Sequence, residues 1–230
     1  RRPEARQQVL LFNLATTAQT PMNTWYIIDN YLDSSNCPLV IFDVYPSAFS
    51  SNALDSTADL TQNVTSEKAA WGMALTLADM RGINMMAARI ALGRTPAMFT
   101  DLRYRSFGFA PSNLVMGHDV TWSPSPSLRM EPMQQRYFQR CLELCRSRGI
   151  KVVLTNSYDP SGKDRGPDGR MHAYIDDVIS NTDTRYIDLS HERVGNDLFA
   201  DGNHLNAKGA SLFSKQLIDT LSDLGYFRGR

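Results

Sequence analysis

Short apolar runs alternate with amphipathic segments along most of this chain. Four of the runs are continuous, as expected for strands that are buried on both faces, and they cover residues 8–14, 39–45, 150–155 and 185–189. Apolar positions recur at helical spacing elsewhere, which predicts helices over residues 23–32, 132–148, 171–180 and 207–224. Strands that alternate with helices imply a parallel sheet. The pattern therefore predicts an α/β fold, a three-layer α/β/α sandwich whose first 46 residues form one β-α-β unit.

The middle of the chain departs from this alternation. Residues 66–90 predict a helix, and Gly72 and Gly82 predict a kink or a break within it. Prolines then interrupt the pattern up to about residue 129. We interpret residues 66–130 as a mostly helical insertion that covers the sheet. The whole chain, residues 1–230, is then a single α/β domain rather than two.

Composition narrows the class of protein. The 230 residues are 42% hydrophobic, which is enough apolar material for a real core. Lys and Arg number 24, and Asp and Glu also number 24, so the net charge is zero. A protein that neutralises phosphates is usually basic, so the balance argues against nucleic acid as the main partner. No apolar run approaches the 18 or so residues of a membrane span.

The clearest candidate for a catalytic motif is the sequence Asp-Gly-Asn-His at residues 201–204, just before the last amphipathic segment. In a tight turn this spacing brings a carboxylate onto one imidazole nitrogen and leaves the other nitrogen free as a base. Asp201 and His204 are therefore candidate catalytic residues. The alternative is that Asp201 only caps a turn and His204 only begins the helix, and the spacing alone does not decide between the two.

The surrounding residues add a family resemblance. Asp-Gly-Asn-His-Leu-Asn, followed by Gly209, Ala210 and Phe213, closely resembles the last sequence block of the SGNH (GDSL-type) hydrolase superfamily. In that superfamily the Asp and His of this block complete a Ser-Asp-His triad on a flavodoxin-like α/β sandwich. The resemblance implies that His204 is the general base and that Asp201 orients it. It implies no metal and no organic cofactor.

A second resemblance lies near the start of the chain. Residues 12–21 (Phe-Asn-Leu-Ala-Thr-Thr-Ala-Gln-Thr-Pro) look like a block of cell-envelope members related to bacterial O-acetylation proteins. In the family, backbone N–H groups of this block help to form the oxyanion hole. Ala15 and Ala18 stand where the family has glycine, but alanine still offers an N–H donor. The resemblance implies an oxyanion or substrate-binding role for Thr17 and Ala18. The alternative is an ordinary polar loop after a strand.

The family's third block is poorly matched. Its Gly-x-Asn-Asp sequence is absent after the strand at residues 39–45, and Ser47 lies nearest the place of the Asn. The resemblance makes Ser47 a candidate hydrogen-bond donor to the substrate. Asp43, within the same strand, is equally consistent with a buried structural carboxylate.

The nucleophile is missing from the sequence. Neither Gly-Asp-Ser nor Gly-x-Ser-x-Gly occurs, and the residues before Asn13 contain no serine. In the family the nucleophile follows a strand that precedes the block resembled by residues 12–21. Because the order of the other elements is intact and the chain begins with Arg1 rather than Met, we expect that strand upstream of Arg1, where a membrane anchor could also lie. The strand is interior in the flavodoxin-like order, so its absence would leave two strands unpaired.

The resemblance thus implies a serine esterase or O-acetyltransferase-like domain that acts on acyl esters, acetyl esters above all. The partner would be a small molecule, a carbohydrate or a cell-envelope polymer, and the location the cell envelope or periplasm. A rival hypothesis is a non-catalytic binding or assembly module that kept the fold and lost the serine. A nucleotide-binding role is disfavoured, because no Gly-rich phosphate loop follows a strand.

Overall fold

The computed structural model describes residues 10–92, 108–117, 129–160 and 169–227. Within these ranges the chain forms eight α-helices, three strands and one short 3-10 helix, Asn196–Leu198. The strands are β1 (Leu39–Asp43), β2 (Lys151–Asn156) and β3 (Arg185–Asp188). The helices are α1 (Pro21–Tyr31), α2 (Pro46–Ser50), α3 (Leu54–Asn63), α4 (Glu67–Thr76), α5 (Met80–Ala91), α6 (Pro132–Ser147), α7 (Gly169–Ser180) and α8 (Ala207–Asp223).

The three strands form one parallel sheet in the order β1-β2-β3. Leu39 lies opposite Lys151 and Asp43 opposite Thr155, and β3 pairs with β2 from Arg185 onwards. The α/β class and the parallel sheet predicted from the sequence are therefore confirmed. β1 ends at Asp43, two residues earlier than predicted, because the chain turns there into the helix that begins with Pro46.

The first predicted strand is wrong. Residues 10–14 adopt no strand, and Leu10 and Phe12 are 66% and 64% exposed; residues 8 and 9 lie outside the described part of the chain. An apolar run becomes a strand only where a neighbour accepts its backbone hydrogen bonds. Residues 10–14 pair with no strand of the described sheet, so the predicted β-α-β unit reduces to α1 followed by β1.

Helices pack on both faces of the sheet, as alternate side chains of β2 show. Leu154 packs with Ile28 of α1 and Phe138 of α6. Val153 points to the opposite face and belongs to a core with Leu217 of α8. The sheet is thus buried on both sides, as parallel sheets require.

The middle of the chain forms two helices, where the sequence predicted a helix over residues 66–90 with a kink or a break at Gly72 and Gly82. α4 ends before α5 begins at Met80, and Ala78 lies between them with φ of +50°. Gly82 lies so close to the Ala74 carbonyl that a Cβ at that position would collide with it. These helices and α3 share an apolar core that includes Met73 and Met86. The rest of the predicted insertion, residues 93–107 and 118–128, lies outside the described residues.

A buried amide ties the start of α1 to α3. The Oδ1 atom of Asn23 accepts hydrogen bonds from the Thr20 N–H (3.2 Å), the Thr20 hydroxyl (2.7 Å) and the Ser56 hydroxyl (2.7 Å). Its Nδ2 atom donates to the Thr57 hydroxyl at 3.0 Å. All four residues are buried. This network fixes where the loop before α1 enters the helix.

We predict that Asn23→Ala lowers the free energy of unfolding by about 2–4 kcal/mol, because it leaves several buried donors and acceptors without a partner. Urea denaturation measures the loss. Asn36→Ala is the matched control, since the Asn36 side chain also forms hydrogen bonds, in its case to two backbone groups, but is exposed. We expect that control to cost less than about 1 kcal/mol. Equal losses in the two variants would contradict a structural role for the buried network.

Candidate active site

The segment between β3 and α8 folds back on itself as a tight loop. Phe199 and Leu205 form an isolated antiparallel bridge. The Ala200 N–H donates to the His204 carbonyl at 2.8 Å and closes the loop. Residues 201–204 are therefore held at its tip.

Asn206 anchors this loop to the last helix. Its Oδ1 atom accepts hydrogen bonds from the N–H groups of Lys208 (3.1 Å) and Gly209 (3.0 Å), which caps the N-terminus of α8. Its Nδ2 atom donates to the Asp197 carbonyl at 2.7 Å. Gly209 approaches the Leu198 carbonyl so closely that a side chain there would collide with it. Asn206 and Gly209 thus fix the base of the loop against the start of α8.

Asp201 holds the His204 ring from one side. The His204 Nδ1 atom lies 2.9 Å from each of the two Asp201 carboxylate oxygens. The same carboxylate accepts the N–H groups of Asn203 (2.8 Å) and His204 (2.9 Å). The Asn203 N–H, with smaller effects from His204, holds the pKa of Asp201 below its usual range. The hydrogen bond that the Asp-x-x-His spacing led us to expect is therefore present.

The other nitrogen of His204 remains accessible. The side chain is 76% exposed, and within the described residues no protein group bonds to Nε2. His204 lines a groove of about 1610 Å³ that runs from residues 10–20 along β1 to the tip of the 201–204 loop. Thr16, Thr17, Ala18 and Ser47 line the same groove. The structure thus brings together the predicted site residues, with Asp201 behind His204.

The loop that precedes α1 is held by its own side chains. The Thr16 N–H donates to the Gln19 side-chain carbonyl at 2.9 Å, and the Gln19 N–H donates back to the Thr16 carbonyl at 3.3 Å. The Gln19 amide also donates to the Thr24 hydroxyl at 2.9 Å. Ala18 has φ of +52°, in the left-handed region that favours glycine. No acceptor among the described residues takes the Ala18 N–H, and Ala18 lines the groove.

Two further residues reach the groove from the end of β1. Tyr45 donates its hydroxyl to Asn203 Oδ1 at 3.1 Å and so links the end of β1 to the loop that carries His204. Asp43 lines the groove as an exposed residue rather than a buried one, and partial desolvation by the protein atoms around the groove raises the pKa of its carboxyl group to about 7. Sequence analysis did not assign either residue to the site. Their place at the carboxyl end of a parallel strand, where ligands bind in such folds, was the available signal.

Other side chains with reactive or titratable groups lie away from this groove. Cys141 and Cys145 are buried in the core between the sheet and α6. His191 lies 3.3 Å from Asp188, in a second Asp/His pair. Across the described ranges no three His, Cys, Asp or Glu side chains converge as they would around a metal ion. No helix in the described part of the chain has the length and apolarity needed to cross a membrane.

Comparison with protein-family models, with curated proteins and with solved structures found no match to this chain. The function must therefore be argued from the groove and the residues that line it.

We predict that Ala18→Gly raises the free energy of unfolding by about 0.5–1 kcal/mol, because alanine pays a steric cost at positive φ that glycine does not. Ala15→Gly is the matched control: Ala15 is also exposed, but it is not among the residues with positive φ. The control only adds freedom to the unfolded chain, so it should be neutral or destabilising. Urea denaturation of both variants tests this. A loss of stability in Ala18→Gly equal to that in Ala15→Gly would contradict strain at Ala18.

Proposed function

We propose that this domain is a serine esterase or O-acetyltransferase-like domain of the SGNH type, with its nucleophilic serine on polypeptide upstream of Arg1. One observation carries the proposal. The Asp201 carboxylate bonds to Nδ1 of a His204 ring whose other nitrogen is open to a groove. This is the acid and base half of a catalytic triad, and it lies in the sequence block that resembles the superfamily.

The chemistry of this pair follows from its geometry. Ionised Asp201 accepts a hydrogen bond from the ring, which places the imidazole proton on Nδ1 and leaves the lone pair on Nε2. Nε2 then takes the proton of a serine hydroxyl as that oxygen attacks an ester carbonyl. The imidazolium that forms is stabilised by Asp201, and it returns the proton to the leaving alkoxide. The low pKa of Asp201 keeps the carboxylate ionised throughout.

The oxyanion that forms during the attack needs donors that are fixed in advance. Ala18 offers an N–H in the same groove, on a turn that the Thr16 and Gln19 side chains hold in place. Thr17 and Ser47 also line the groove and offer further donors. In this proposal these groups stabilise the negative charge that develops on the carbonyl oxygen.

The groove near His204 suits a hydroxyl-rich acyl ester. Asp43, Tyr45 and Asn203 line it beside His204, and carboxyl, phenol and amide groups can all hydrogen-bond to sugar hydroxyls. We therefore favour acetyl esters of a carbohydrate or cell-envelope polymer as substrates. The flavodoxin-like topology and a location in the cell envelope or periplasm belong to the same proposal and rest on the family resemblance.

We predict that the 230-residue chain hydrolyses p-nitrophenyl acetate at no more than the residual rate of triad-deleted enzymes, about 10³–10⁴-fold over water. A chain extended upstream with its natural sequence should be active. His204→Ala should abolish that activity, and Asp201→Asn should reduce it by roughly 10⁴-fold, because the ring would then adopt the wrong tautomer.

The matched control is His191→Ala, which removes the other Asp/His pair and should leave turnover unchanged. Robust turnover by the 230-residue chain, with fluorophosphonate labelling within residues 1–230, would show that the nucleophile lies in this chain and not upstream of Arg1. An extended chain that is inactive on every acyl ester tested would instead favour the binding or assembly module.

A further inference from the structure

Residues 108–117, here called the strap, run from the loop that precedes α1 to the loop that precedes α8. At the first loop the backbone of Gly108 lies so close to the Asn13 carbonyl that a Cβ at position 108 would collide with it. Gly108 also has φ of +76°, in the left-handed region that favours glycine. Both features require glycine at this position.

The other end of the strap is tied to the loop that precedes α8. The Ser112 carbonyl accepts the N–H of Ala207, the first residue of α8, at 2.7 Å. The Met116 N–H donates to the Phe199 carbonyl at 2.9 Å, and the Met116 side chain is buried in the same core as Phe199. These contacts lie on both sides of the loop tip, so this end of the strap is anchored in the folded core.

The turn that carries Ala18 is held by the strap at one of its two ends. Its carboxyl end enters α1 through a buried hydrogen-bond network. Its other end begins at Asn13, whose side chain accepts the Ala15 N–H at 3.0 Å, and residues 10–14 pair with no strand of the described sheet. Gly108 supplies a contact for this end of the turn. The positive φ of Ala18 persists only where the surrounding structure holds it.

The length of the strap limits the distance between the two loops. Each residue advances an extended chain by at most about 3.6 Å, so the four steps from Gly108 to Ser112 span no more than about 14 Å. Pro111 lies within this stretch, and its fixed φ narrows the range of conformations further. None of residues 108–117 lines the groove. The strap therefore acts on the site through the two loops and not through contact with a substrate.

We propose that the strap is a positioning element, which fixes the separation between the Ala18 N–H and the His204 ring. Its role in catalysis rests on the proposed function, because the oxyanion donor and the base must then act on the same ester group. A displacement of about 1 Å between such groups can cost about 100-fold in rate. The strap thus assigns a purpose to the described end of the segment that the sequence analysis interpreted as an insertion.

Gly108→Ala perturbs the strap at its first end, and NMR of the 230-residue chain detects the effect at both ends. The new Cβ pushes the strap away from Asn13, so the amide resonance of Ala18 should shift. The Ala207 amide should exchange at least about 10-fold faster, because its acceptor moves. Gly149→Ala is the matched control: Gly149 has φ of +68°, but a Cβ there would meet nothing within 4 Å. The control should change neither signal.

Ala207→Pro perturbs the strap from the opposite end and decides the question even if Gly108→Ala does not fold. Proline lacks the N–H that Ser112 accepts, and it is well tolerated at the first position of a helix. The preceding Asn206 has φ of −79° and ψ of −179°, the extended backbone that a following proline requires. The Ala18 amide resonance should shift in this variant. A change confined to the end of the strap that carries the substitution, in either variant, would overturn the proposal.

Kinetics of the chain extended upstream with its natural sequence test the catalytic role. Gly108→Ala should lower kcat on p-nitrophenyl acetate by roughly 100-fold and change KM by less than about twofold, because the strap does not line the groove. Gly149→Ala should leave both constants unchanged. Coupled loops with no loss of kcat would overturn the role of the strap in the reaction. An unsubstituted extended chain without activity would overturn the proposed function, while the NMR result would still decide whether the strap couples the two loops.

Discussion

The parallel ladder between β1 and β2 is the interaction on which the rest of this structure depends. It aligns the carboxyl ends of the strands, so that Tyr45 and the 201–204 loop meet at one edge of the sheet. It also gives α1 and α6 one apolar face to cover and α8 the other. The other edge of β1 pairs with no strand of the described sheet. That edge is where the groove begins, and the proposed chemistry lies at its carboxyl end.

Hydrogen bonds from side chains help to hold the two loops that supply the candidate site. Asn206 fixes the loop that carries Asp201 and His204. Gln19 fixes the turn that carries Ala18. Both tips are exposed, so neither could rely on burial for a defined conformation. Loops of this kind can present fixed donors and a base to a groove at little cost to the core.

The sequence predicted well those features that depend on local pattern. The strands that became β1, β2 and β3 are apolar runs, and each lies beside helices that could be recognised by their periodicity. The run at residues 8–14 carries the same pattern, yet residues 10–14 form no strand, because pairing depends on a neighbour that the run itself does not encode. A break in the helix over residues 66–90 was predicted at Gly72 and Gly82, but it lies at Ala78, whose positive φ the sequence does not mark.

The candidate site likewise has some features that the sequence could predict and others that only the folded chain shows. The hydrogen bond between Asp201 and His204 spans three residues and could be predicted from their spacing. The bond between Tyr45 and Asn203 joins residues 158 positions apart, and only the folded chain shows it. Asp43 could be placed at a strand end, but its raised pKa depends on the protein atoms that surround it in the fold.

The tautomer of His204 tests the central claim most directly, because the account requires a base at Nε2. Nitrogen-15 NMR of the imidazole, in the 230-residue chain at a pH where the ring is neutral, distinguishes the two tautomers. The account predicts a proton on Nδ1, held by Asp201, and a bare Nε2 that faces the groove. In Asp201→Asn this preference should disappear. A proton found on Nε2 in the unsubstituted chain would contradict the account, since His204 could then not accept the proton of a nucleophile in the groove.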